Sequence, residues 1–168
     1  MSEITAGLQI VLVRELKAFE REIEMFPDDE LVWKTVPGVT NAAGNLALHV
    51  CGNLQHYLGG VLGNTGYVRK RDVEFGRTSG TRAELIREIR TTIAVVERVL
   101  SRVGVAELAR DYPEKVGGFE LNTGQFLIHL SVHLAHHLGQ AGYLRRIVTE
   151  ENRSSGALPL KALGVKSP

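Results

Sequence analysis

The stretch HLSVHLAHHLGQ, His129–Gln140, decides how this chain reads. It carries four of the six histidines in the protein and closes on a glutamine. Wound at about 100° per residue, it sets His129, His133, His136, His137 and Gln140 on one face, with Phe126, Leu144 and Ile147 at the ends of that face. A solvated histidine patch would not be bracketed by large apolar residues. The reading is a long helix, from Asn122 or Thr123 to about Val148, that turns its imidazoles towards a protein interior. Polar groups buried there need partners.

Three more segments share the helical period. Residues 3–25 place Ile4, Leu8, Val11, Leu12, Phe19 and Ile23 on one side and Arg14, Lys17, Arg21 and Glu24 on the other. A second helix runs from about Asn41, a good N-cap type, to Gly63. The third is the best punctuated. Thr81 and Glu84 form a T-x-x-E capping box ahead of the stripe Leu85, Ile89, Ile93, Val96, Leu100 and Val103, and Gly104 suits its end. Two long connections remain, 64–80 and 104–121, and KVGGFEL in the second reads as a short hairpin. Four amphipathic helices of this size predict an all-α four-helix bundle, one domain over residues 1–150 with a loosely ordered tail at 151–168.

Composition excludes several classes of function. Apolar residues make up 43% and charged residues 23%, and 20 basic against 19 acidic side chains leave a net charge of +1. Such a balance offers no field for nucleic acid or for an anionic membrane. Cys51 is the single cysteine, so no internal disulfide can form, and a reducing compartment is the expectation. No apolar run reaches the roughly 18 residues of a membrane span, and Glu3, Arg14 and Glu15 spoil a signal peptide. The expected location is the cytoplasm. No phosphate-cradling loop or nucleophile elbow is present.

The second helix supplies the counterpart to the histidine run. Ala42, Asn45, Leu46, Gly52, Asn53, His56 and Gly60 share the face of His49, and the glycines leave room where a packed core would use Leu or Ile. On the other helix His133 and His137 are one turn apart and point the same way, a workable chelating pair. Three imidazoles from two helices leave an ion's remaining positions open to water or substrate, as catalysis requires. A hydrogen-bonded polar core is the alternative reading of the same residues.

The segments NLALHVCGNLQHYLGGVLG, VRKRDVEF and HLSVHLAHHLGQAGYLRR resemble the DinB-like, or YfiT-like, superfamily of metal-binding proteins. The resemblance covers roughly residues 5–149, and H-L-A-H-H-x-G-Q is its most specific part. It implies a four-helix bundle with crossed connections, which the long 64–80 and 104–121 segments suit. It also implies a divalent metal held by one histidine of the second helix and an H-x-x-x-H pair of the fourth, here His49, His133 and His137. Some relatives are transferases or isomerases that use low-molecular-weight thiols. The expectation is therefore a metal-dependent enzyme of thiol-transferase or hydrolase type acting on a small molecule. A non-enzymatic metal-binding or stress-linked sensor bundle is the alternative. Zinc and nickel lead as the metal, with iron and copper behind them.

Other polar residues fall around this set. His129, His136 and Gln140 either hold a ligand ring or line a substrate pocket, or simply pack with one hydrogen bond. His56 either replaces His49 as a ligand or lies beyond it, and Asn53 either orients a substrate or caps the cavity. Glu15 is read at the bundle edge in solvent rather than as a buried general base. Arg69, Arg71, Asp72 and Glu74 read as a solvated loop, and Cys51 points away from His49. The back of the fourth helix, with Ser131, Ala135, Gly139 and Gly142 among Leu127, Leu134 and Leu138, predicts a homodimer.

Overall fold

The computed structural model describes residues 3–156 and 159–164. Six α-helices follow in order: α1 Glu3–Glu24, α2 Ala43–Leu54, α3 Arg71–Gly76, α4 Arg82–Leu100, α5 Val105–Ala109 and α6 Thr123–Thr149. Helix α2 continues directly into a π-helical segment, Gln55–Leu62. Short 3-10 turns lie at Leu31–Trp33 and Leu160–Ala162. Among the described residues no strand forms. KVGGFEL makes only a tight turn, in which Val116 and Phe119 exchange backbone hydrogen bonds around Gly117 and Gly118. Both glycines have positive φ, the requirement of a two-residue hairpin turn.

The four long helices make the bundle. Helix α1 packs on α4 and α6, and α2 packs on the same two, so α1 and α2 occupy opposite corners. Of the consecutive long helices only α2 and α4 are neighbours; α1 and α2, and α4 and α6, lie across the bundle from one another, unlike those of an up-down bundle. The core is built from Leu12, Leu16, Phe19 and Ile23 of α1, Val50 and Leu54 of α2, Leu85, Ile89 and Val96 of α4, and Phe126, Leu130 and Leu134 of α6. The α4 stripe and the Thr81–Glu84 capping box are as the pattern predicts. Asn122 caps α6 by accepting from the Gln125 N–H.

Three local features differ from the sequence expectation. Helix α2 begins at Ala43, not at Asn41, and the Asn45 side chain closes its first turn by accepting from the Ala42 N–H. Its last turns are π-helical, and there the Tyr57 carbonyl accepts from the Tyr112 hydroxyl. Glu15 is not in solvent: it is 2% exposed, paired with Arg14 at 2.6 Å through one oxygen while the other meets no partner among the described residues. Only one carboxylate oxygen is compensated, because Arg14 donates both Nε and Nη2 to the same Oε1.

Beyond α6 the chain folds back on α1. Arg145 is completely buried, pairs with Glu22 at 2.6 Å and donates to the Arg153 carbonyl, while Arg21 donates to the Ser155 carbonyl. No helix of the described residues is long and apolar enough to cross a membrane.

Candidate metal centre

Helices α2 and α6 run antiparallel, so that His49 faces the turn between His133 and His137. The three rings converge through the same atom. His133 Nε2 lies 3.2 Å from His49 Nε2 and 3.2 Å from His137 Nε2. Two nitrogens bound at about 2.0–2.1 Å to one ion and 3.2 Å apart subtend roughly 100–106° at it, close to the tetrahedral angle. The donor set thus fits a divalent metal: three neutral imidazoles at a spacing one ion would impose. His49 is buried, whereas His133 and His137 are half-buried, so the open side of the cluster faces solvent.

The outer nitrogens are also engaged. His49 Nδ1 lies 3.0 Å from Glu74 Oε2, and His137 Nδ1 lies 2.8 Å from Gln140 Oε1. When Nδ1–H donates to these oxygens, the Nε2 lone pairs are left free for an ion. That is how histidine ligands are normally oriented. Glu74 is in turn gripped by Arg69, whose Nε and Nη2 each donate at 2.7 Å. Burial alone would raise the Glu74 carboxyl; the hydrogen bonds from Arg69 and His49 outweigh it and hold the group at about 2.

Glu74 and Arg69 are the residues that sequence reasoning missed. The segment read as a solvated loop contains α3, which buries Glu74 to 5% exposure. Two features of α2 admit it. Asn45 donates to the carbonyls of Glu74 and Arg77 and so anchors α3 across α2. Gly52 leaves the space: a Cβ there would stand 2.1 Å from Glu74 Oε1. Gly52 was legible as a gap on the His49 face, and Glu74 is what fills it.

The remaining predicted residues divide. Gln140 holds His137, although its side chain is exposed. His129 and His136 are exposed as well, so the imidazole stripe is not wholly interior. It lies on the rim of α6, and only His133 and His137 are drawn in by α2. Their rings stay near the cluster, His136 at 5.2 Å from His137 and His129 at 6.1 Å from His133, centroid to centroid. His56 is not at the site. It points along the π-helical segment and pairs with Glu114 at 3.3 Å. Asn53 is buried, and its Oδ1 has no hydrogen-bond partner among the described residues. Cys51 is buried on another face, where burial pushes its thiol up to about 12.

The match to protein families follows this geometry. The family model described as the DinB superfamily matches residues 12–141, which take in all three histidines, Arg69 and Glu74. The chain belongs to the DinB superfamily. Among curated proteins none matches. The all-helical bundle and the three-histidine cluster are what a member of this superfamily is expected to carry, and both are present here.

Acid should destabilise the chelator-treated protein in two stages. Burial, then the neighbouring His137 and His49 rings, push His133 down to about 3, and burial likewise lowers His137. The unfolded chain therefore binds protons that the folded one refuses, so stability is full above about pH 6.5 and falls as pH drops from there towards 3. Glu74, held near 2, adds a further loss below about 4.5. Thermal melts across this range should show an early decline that His133→Gln flattens and a later one that it leaves intact. Superimposable curves for the two proteins above pH 4.5 would refute the assignment.

Proposed function

We propose that this protein is a metal-dependent enzyme that joins a small thiol to a small electrophilic substrate. The metal would be zinc or nickel before iron or copper, held by Nε2 of His49, His133 and His137. The observation that carries this reading is the 3.2 Å convergence of those three nitrogens on the solvent side of the bundle. An ion there would lower the pKa of a thiol or a water that reached it.

The chain's own residues favour the thiol over water. Glu74, the carboxylate against the cluster, is tied by Arg69 and His49 and held near 2, so it cannot take a proton at neutral pH. The ion alone would then have to make the nucleophile, and a thiol starts from a pKa of about 8.5 against about 15.7 for water. A thiol therefore gives up its proton to solvent on binding more readily than water does. Glu74 and Gln140 hold the Nδ1 protons of His49 and His137. The test is a screen of tag-free, metal-loaded protein against electrophiles with and without small thiols. Turnover that needs both metal and thiol is expected; turnover that ignores the thiol points to hydrolysis, and stoichiometric metal without any turnover would support a binding protein instead.

We place the protein in the cytoplasm as a homodimer. Helix α6 leaves Ile128 and Val132 more than half exposed, and Ala135 and Gly139 continue the same stripe, flat enough for close approach of a second helix. Leu127 and Leu134, expected on that surface, are instead buried in the bundle. Light scattering at tens of micromolar should give a dimer for the unmodified chain and a monomer for Val132→Glu. A monomer for both would rule the dimer out.

A further inference from the structure

A groove of about 400 Å³ adjoins the metal centre, between the first turns of α2, the last turns of α6 and the loop at residues 38–41. That volume lies within the usual range of about 300–1,000 Å³ for small-molecule sites. Val39, Leu46, Leu144 and Ile147 make its apolar wall, Tyr143 its rim, and no charged side chain lines it. It lies about one helical turn from the centre on both helices. Leu46 sits one turn before His49, and Gln140 sits one turn after His137. Gln140 belongs to both places: its Oε1 accepts from His137 Nδ1 while its side chain forms the near end of the groove. The Gln140 amide nitrogen donates to nothing among the described residues.

The geometry points to this groove as the subsite for the substrate's body, an inference that rests on the metal-centre reading above. The ligand is a small molecule with an uncharged, apolar chain or ring in the groove. It carries a carbonyl-type oxygen over the Gln140 amide and a donor or electrophilic atom at the three histidines. A carboxylate-rich thiol has no cation to meet here, so the groove takes the electrophile and the thiol must approach from the solvent side.

Straight-chain alkyl hydroxamates, from acetyl to octanoyl, probe the arrangement on tag-free zinc-loaded protein. Their headgroup takes the ion, and the chain reports on the groove. Each added methylene should tighten binding about twofold to fourfold until the groove is full, as partial burial of a CH₂ predicts. Val39 and Ile147 are exposed, so Val39→Glu and Ile147→Glu should fold and keep a full equivalent of zinc. In them acetohydroxamate should bind as before while the dependence on chain length disappears. A flat series in the unmodified protein, or an unchanged slope in both variants, would overturn the subsite. A second arm needs no metal. In chelated protein, 1-hexanol should shift the methyl NMR signals of Leu46, Leu144 and Val39; shifts dispersed over the surface, or exclusion of hexanol by a dimer that fills the groove, would overturn it too. Failure of the metal reading shows separately, as protein that retains no zinc while the hexanol arm still reports on the groove.

Discussion

His133→Ala and His137→Ala should each abolish stoichiometric metal, and His49→Ala should weaken binding strongly, whereas His129→Ala should leave it near the original value. The ranking follows from position. His133 Nε2 is the common neighbour of the other two, at 3.2 Å from both, so its removal leaves two nitrogens with nothing to bridge them. His137 shares its helix face and is oriented by Gln140. His129 has its centroid 6.1 Å from that of His133 and stands in solvent. The consequence for stability is a matter of mass action. Metal at about a hundred times its dissociation constant stabilises the fold by about 2.7 kcal/mol. For a chain of this size that corresponds to roughly 5–10 °C in Tm, and it should vanish in the His133 and His137 variants. Elemental analysis after chelator washing, with paired melts with and without zinc, measures both effects. A full equivalent of zinc on His133→Ala would sink the assignment.

These variants probe a site whose ligands were legible in the sequence while their surroundings were not. Helical period and capping residues located α1, α4 and α6 because each repeats its pattern over several turns. The H-x-x-x-H spacing picked out His133 and His137 because one turn of helix places two side chains together whatever surrounds them. A wheel, however, gives only direction and not depth. His129, His136 and Gln140 share the direction of His133, yet they lie on the rim in solvent, because how far α2 reaches around α6 is a tertiary fact. The same limit applies to Glu15, whose face was read correctly and whose burial was not. Helix α3 escaped because six residues make less than two turns and show no period. Its charge run matched a solvated loop, and only the cleft at Gly52 distinguishes Glu74 from its exposed neighbour Asp72.

Glu74 should prove as important as a ligand. Glu74→Ala would leave Arg69 half-buried without its partner and His49 without its acceptor. Removing one member of a buried ion pair costs roughly 3–5 kcal/mol, and losing the group that orients a ligand histidine costs about 10–100-fold in metal affinity. Glu74→Gln separates the two effects. The amide keeps the shape, but one of its two ends now donates. Turned towards His49, that NH₂ would favour Nδ1 as an acceptor and move the ring proton to Nε2, where it blocks the ion. The approach of Arg69 Nη2 to His49 Nδ1, at 3.1 Å, pushes the same way, since a guanidinium can only donate. Nitrogen NMR of the chelated protein should therefore show His49 protonated at Nδ1 in the unmodified chain and at Nε2 in Glu74→Gln, with zinc affinity down by at least tenfold. Gly52→Ala should reproduce the loss from the opposite side, because its methyl would stand only 2.1 Å from Glu74 Oε1 and force the carboxylate off His49. A purely structural Glu74 would lower Tm in these variants without moving the His49 proton. Unchanged nitrogen shifts together with undiminished zinc binding would confine Glu74 to that lesser role.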